Sequence, residues 1–376
     1  MPLEHRILVV FPFPGQTTAG GPEGFISQLL RPFTFEGLAV SPVSVVTGAR
    51  VARRLRQLSA WISGRAQRWK MSTAEVVARE ELFHAAGLDR VKFLWFMDQG
   101  VYQIFEPFVS PGQTVLYQPH CPELPWEEIP ADTPEGARRR REAEACTRRL
   151  MQRADIVVLP NAGVRPIYAP ILRPDCEVLY LQSGAARPAA VRPLPLDPQF
   201  TYLLYIGRRL PIKGFDAVLA AFQRAHAQRP DLRLILCGTG ERPDHPGVID
   251  VGFTSRVHDW IATADYVINA NRQSYLDLSV METLAIGTPL LMTCTHGHEI
   301  FRPWAGPGLR CLDAATPEAL LPVLLECSAG QARRPAVRAG NRELYAREFA
   351  VDRYHARLAA FVGRVLGHPA AAAPLP

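Results

Sequence analysis

Arg208 and Lys213 stand five residues apart in GRRLPIKGF, in a chain with only three lysines, Lys70, Lys92 and Lys213, among its 42 basic side chains. A guanidinium engages two phosphate oxygens with its planar fork, and an ammonium supplies a compact point charge, so together they suit a diphosphate. The stretch TYLLYI before them reads as a strand. After them Phe215, Val218, Leu219 and Phe222 recur at i, i+3, i+4 and i+7, the buried face of a helix that Pro230 ends. The two cations therefore fall at the carboxyl end of a strand and the amino end of a helix, where open α/β sheets bind ligands and backbone N–H groups favour anions. Positive charge there opposes the helix macrodipole, which calls for a compensating anion. The plainer alternative is a pair of solvated cations in a turn.

A second cluster lies in SYLDLSVMETLAIGTPLL. Ser279 and Glu282 have the S-x-x-E spacing of a capping box, and Gly287 with Pro289 supplies the stop, which predicts a helix over about 280–286. Glu282 is either a capping residue or a carboxylate that accepts from the two hydroxyls of a ribose. The order GRxxxxKG (207–214), LILCGTGE, VGF and METLAIGTPLL resembles the donor-binding domain of the retaining glycosyltransferases of the GT-B fold, a family with many bacterial mannosyl- and glucosyltransferases. The likeness spans about residues 202–301. It implies that Arg208 and Lys213 hold the diphosphate of a nucleotide-sugar and that Glu282 holds its ribose. Gly207, Gly238 and Gly240 would let backbone approach the nucleotide, and Gly252 and Phe253 would lie near the base. Asp277, Leu278 and Ser279 would border the sugar and phosphates, as would Glu299 in the loop THGHE. The chain departs from the family pattern at Ser274, where a first glutamate is usual; Asp277 is a nearby acid that could take its place if the loop is rearranged.

The amino-terminal half offers less. The resemblance implies a glycine-rich loop after the first strand, matched by Gly20 and Gly21, though a doubled glycine before Pro22 is also an ordinary strand-to-helix turn. His120, after the strand TVLYQ, matches a histidine of the family's sugar site and is otherwise a structural imidazole. His296, His298 and Glu299 could ligate a metal, but an HxH pair on a loop without a defined third ligand is a poor site. The family uses no essential metal, so no metal or other cofactor is expected beyond the nucleotide-sugar itself. Residues 50–70 set Val51, Leu55, Leu58 and Ile62 on one face among arginines. That segment either rests on an anionic membrane or packs its stripe on a sheet. Arg138 to Arg141 read as the solvated face of another helix.

The elements that must position these groups follow from the chain as a whole. At 376 residues with 48% hydrophobic and 21% charged content, it suits two globular domains. Apolar runs RILVVFPF, VSVVTG, KFLWFMD, TVLYQ, DIVVLP and EVLYLQ alternate with helical stretches; then TYLLYI, LRLILCG, VIDVGF, DYVINA and PLLMTC repeat the alternation, with helices thereafter. This is the pattern of doubly wound parallel sheets. The expected organisation is an α/β protein of the GT-B class, two Rossmann-like domains facing a cleft. The first, 1–183, would take the acceptor; a proline-rich linker, 184–199, would lead to a nucleotide-sugar domain, 200–345. A helix, 346–367, would return to the first domain ahead of a loose tail, 368–376.

Composition also excludes. Seven scattered cysteines without CxxC argue against a disulfide framework or structural zinc, and no apolar run reaches bilayer length, so a cytoplasmic protein, at most peripheral on the inner membrane face, is expected. A net charge of +6 spread along the chain gives no reason to expect nucleic acid as a partner. CGTGERP lacks the third glycine of a dehydrogenase fingerprint. An epimerase would need grouped acid and histidine bases that are not evident. The expected activity is hexosyl transfer to an acceptor whose identity the sequence does not reveal; a binding or scaffold protein that kept the fold is the alternative Ser274 suggests.

Overall fold

The computed structural model describes residues 6–11, 38–42, 71–330 and 335–367. The chain divides into two compact units: Met1–Leu159, Ile167–Leu181 and Arg357–Pro376 form one, Pro160–Pro166 and Gln182–Ala356 the other. Each is built on a six-stranded, all-parallel sheet.

In the first unit the strands are β1 (Ile7–Phe11), β2 (Leu38–Pro42), β3 (Phe93–Phe96), β4 (Thr114–Tyr117), β5 (Ile156–Leu159) and β6 (Glu177–Tyr180), in the order β2-β1-β3-β4-β5-β6. The central ones are nearly continuous apolar runs, as a sheet covered on both faces requires: Ile156 to Leu159 are all buried. Helices α1 (Thr73–Ala85), α2 (Gln99–Phe105) and α3 (Pro134–Arg153) follow strands. Ser72 and Glu75 close a capping box on α1. On α3, Cys146, Thr147, Leu150 and Met151 form the buried stripe, while Arg138 pairs outward with Glu135 and Glu142, both at 2.7 Å.

In the second unit β7 (Thr201–Ile206), β8 (Leu232–Cys237), β9 (Val248–Gly252), β10 (Tyr266–Asn269), β11 (Leu290–Thr293) and β12 (Leu309–Leu312) are ordered β12-β11-β10-β7-β8-β9. The period-2 alternation of β7 sends Tyr202 and Leu204 to one core, Leu203 and Tyr205 to the other. Helix α4 (Phe215–Gln228) fills the second core with Phe215, Val218, Ala221 and Phe222. Helices α5 (Val257–Thr263) and α6 (Leu278–Ile286) fill the first through Ile261, Val280, Met281 and Leu284. Helices α7 (Pro317–Leu325), α8 (Pro335–Leu344) and α9 (Val351–Val365) follow β12.

Three features differ from the sequence reading. The strand beside β1 is Leu38–Pro42, ahead of VSVVTG, which lies outside the described residues; its proline is tolerated because β2 is an edge strand. A further strand, β12, follows PLLMTC. Its LRCL sequence is short and half-exposed, so it shows neither strand alternation nor a buried run. Two of the cysteines are bridged: Cys294 and Cys311, 17 residues apart, are disulfide-bonded with Cα atoms 5.4 Å apart. Parallel pairing of β11 with β12 brings them within bridging range, and cysteine spacing carries no trace of that pairing. Gly20, Gly21, the segment 50–70 and the tail 368–376 lie outside the described residues. Among the described residues no helix is long and apolar enough to cross a membrane.

Phe222 is fully buried between α4 and the sheet. Phe222→Ala is expected to destabilise the second unit by about 4 kcal/mol. Chemical denaturation should show a lower midpoint at unchanged slope.

Candidate active site

Glycines close the carboxyl ends of three adjacent strands. The Gly207 N–H donates to the Cys237 carbonyl at 2.9 Å, and the Gly238 N–H donates to the Gly252 carbonyl at 2.8 Å. Gly238 has φ +139°, and a Cβ there would stand 2.0 Å from the Gly207 carbonyl oxygen, so only glycine fits. The result is a row, Gly207, Gly238, Gly252, with Gly240 two residues past Gly238 and Phe253 79% exposed at the end. Arg209, which the sequence reading did not single out, ties this rim together. Its guanidinium donates to the carbonyls of Gly240 at 3.0 Å and Glu241 at 2.8 Å, and forks onto the Asp250 carboxylate. The arginine side chain is 3% exposed. Burial alone would raise the Asp250 carboxyl; the guanidinium outweighs it and holds the group below the usual range.

Arg208, the neighbour, is exposed. Lys213 closes the short 3-10 turn Pro211–Lys213, and Gly214 follows in the left-handed region. The Lys213 Nζ lies 3.2 and 3.4 Å from the two carboxylate oxygens of Asp277. Asp277 also accepts from Asn269 Nδ2 at 3.0 Å and Asn271 Nδ2 at 2.6 Å. Its burial works to raise the pKa; the charge of Lys213 and the two amides more than reverse this, so the carboxylate is ionised far below the ordinary aspartate value. The Asp277 N–H donates to His298 Nε2 at 3.2 Å. That bond requires a bare Nε2, and burial pushes the His298 imidazole down to about 4, so His298 is a neutral acceptor here.

Asp277, not Ser279, is the N-cap of α6, and the helix begins at Leu278, two residues before the expected start. No capping box forms. The Asp277 carboxylate makes no capping bond because it is spent on Lys213 and the two asparagines, and the Ser279 carbonyl accepts from Thr283 Oγ1. Glu282, at the start of the second turn, is released from the capping role and meets His258 Nε2 of α5 at 3.3 Å. Lys213 therefore rests on the N-cap of the same helix that carries Glu282.

Ser274 is fully buried. Its Oγ lies 3.3 Å from Thr295 Oγ1, and its carbonyl accepts from the Gly297 N–H at 2.9 Å. THGHE is thus fastened to the loop before α6 and turns through His296 at φ +48°, a left-handed residue that is not glycine. Glu299 is exposed on the 3-10 segment His296–Trp304. Asn161 fastens the other side, donating to the Gly297 carbonyl at 2.9 Å. Among the described residues no group of three or more His, Cys, Asp or Glu is arranged to hold a metal ion. In the first unit, His120 follows β4, and burial of its ring pushes the imidazole down to about 3, so it is neutral.

Sequence reasoning missed Arg209, Asp250, Asn269, Asn271 and His258. A readable signal existed for the asparagines, since NAN straddles the carboxyl end of β10; none existed for the others.

Residues 201–325 match the family model described as glycosyl transferases group 1. Among solved structures, sucrose-phosphate synthase of Thermosynechococcus elongatus superposes with a TM-score of 0.65 at 13% identity, covering 96% of this chain and 99% of that one. The fold is GT-B. HepE of Anabaena in complex with UDP-glucose gives 0.62 at 12% identity, covering 96% of this chain and 99% of that one. The N-terminal domain of Candida albicans trehalose-6-phosphate phosphatase gives 0.61 at 11% identity, with 98% of each chain covered. At these identities the GT-B likeness concerns architecture. No curated protein sequence matches the chain.

Lys213→Ala would leave the buried Asp277 carboxylate without its cation, a loss on the order of 3 kcal/mol. The double change with Asp277→Asn should recover more than half of the fall in thermal midpoint. The Asp277 pKa is depressed, so its contribution is complete above the ordinary aspartate value of 3.8 and is lost as pH falls below it. Unfolding free energies measured by chemical denaturation should therefore fall more steeply below pH 3.8 in the wild type than in the double variant.

Proposed function

We propose that this protein is a retaining glycosyltransferase that moves a hexosyl group from a nucleoside diphosphate sugar to an acceptor hydroxyl. The observation that carries the reading is Lys213 resting on the N-cap of α6, five residues before Glu282 on the same helix. This occurs within the stretch that matches the group 1 glycosyltransferases. HepE, of similar architecture, is described in complex with UDP-glucose, which makes a uridine nucleotide the first donor to test.

In this reading the amino end of α6, which has no side-chain cap, takes phosphate oxygens on its backbone N–H groups. Arg208 and Lys213 add charge, and Glu282 accepts from the ribose hydroxyls. The rim of Gly207, Gly238, Gly240 and Gly252 admits the nucleotide, with Phe253 beside the base. As the bond from the anomeric carbon to the β-phosphate oxygen breaks, both electrons go to the diphosphate, whose growing charge these donors stabilise. An acceptor oxygen forms the new glycosidic bond and gives its proton to the departing β-phosphate oxygen. Asp277 supplies the carboxylate that Ser274 lacks, displaced by three residues and held ionised by Lys213. Gly20, Gly21, His120, Leu278, Ser279 and Glu299 are proposed to border the donor. The segment 50–70 is proposed as a peripheral contact with an anionic membrane on the cytoplasmic side. No metal takes part.

Ser274 favours a second reading. Its buried hydroxyl is committed to Thr295 and brings no charge to the sugar. A nucleotide-sugar-binding protein without turnover is consistent with that.

Incubation with UDP-, GDP- and ADP-hexoses separates the two. Transfer or slow donor hydrolysis is expected, and tight binding with no turnover of any donor would favour the second reading. Arg208→Ala, at an exposed position, should lower kcat about 100-fold in the same assay, the usual scale for one donor to a developing anion. An unchanged kcat would remove Arg208 from the leaving-group site.

A further inference from the structure

Glu282 has one polar side-chain partner among the described residues, His258 Nε2 at 3.3 Å, and the two side chains are 27% and 34% exposed. The ring comes from α5, whose Ile261 and Ala262 are buried in the core that α6 shares, so its position is set by packing. A glutamate in a helix's second turn has three side-chain torsions to fix before it can accept two hydroxyls at once. One contact from a packed ring removes much of that freedom. A carboxylate offers about four lone-pair sites, so the histidine leaves enough for a diol.

We infer that His258 is a positioning residue that orients the Glu282 carboxylate toward the donor ribose, making the grip on the ribose hydroxyls pH-dependent. This rests on the reading of Glu282 given above and deepens it.

The groups facing His258 favour the charged ring. Glu282 of α6 is the nearest, and Asp259 on its own helix adds to it. Asp259 is itself engaged by Arg256 at 2.8 Å and by the Arg192 N–H at 2.8 Å, so its influence is the lesser. The carboxylate of Glu282 raises the imidazole above the ordinary value of 6.5 against the effect of burial. A raised histidine keeps its full interaction below 6.5 and loses it as pH climbs through the higher folded value. Ribose recognition should weaken over that same range.

Calorimetry with UDP, GDP and ADP identifies the tightest nucleotide, which is then compared with its 2′-deoxy counterpart. The ratio of the two affinities cancels ionisation of the base and phosphates and reports on the ribose alone. In the wild type the ribonucleotide should be preferred about tenfold near pH 6. That preference should shrink several-fold near pH 9. His258→Ala should show the small preference at both pH values. His258→Gln, which keeps a neutral N–H donor, should retain part of it without pH dependence. A preference of equal size in wild type and His258→Ala at both pH values overturns the role of His258 and leaves the donor site standing. If the wild type does not distinguish the two sugars, or binds none of the three nucleotides, the ribose reading of Glu282 falls and the inference falls with it.

Discussion

A buried ion pair governs the second unit's candidate site. Lys213 and Asp277 are each 18% exposed at the side chain, and an isolated charge at that depth is costly, so neither is tolerable without the other. The two asparagines complete the carboxylate's hydrogen bonding, and a neutral His298 holds its backbone N–H. This mutual requirement fixes the loop 270–277 against the turn after β7. It also sets where α6 starts, and hence the direction in which Glu282 points.

The pair also limits how much charge is available to a ligand. With Lys213 largely neutralised by Asp277, a diphosphate would draw on Arg208 and on the backbone N–H groups of α6 as much as on the lysine. Polar groups held in place before the reaction are the arrangement that favours stabilising a leaving group, since nothing has to reorganise as charge develops. Asp277 keeps Lys213 in position.

The surrounding shell uses the same principle of fixed backbone. Arg209 is spent on two carbonyls and Asp250, which stiffens the rim beside Gly240 and Gly252. Asn161 and Ser274 fasten THGHE from two sides. His296 is held at positive φ between these attachments, a backbone conformation that persists only where the neighbours impose it.

Residue pattern alone determined the alternation of strands and helices, the boundary of α4 within two residues of Pro230, and the placement of Arg208 and Lys213 at a strand-to-helix turn. These depend on local periodicity and on glycine and proline, which act over a few residues. Tertiary structure alone decided which groups pair. Lys213 meets a residue 64 positions away, Arg209 one 41 positions away, and Cys294 bonds to Cys311 across neighbouring strands. The capping box at Ser279 failed for the same reason: its spacing was correct, but Asp277 had been drawn into place by a distant cation and the helix started there. Such pairings follow from the order and register of parallel strands, set by the packing of whole faces rather than by any short run of residues.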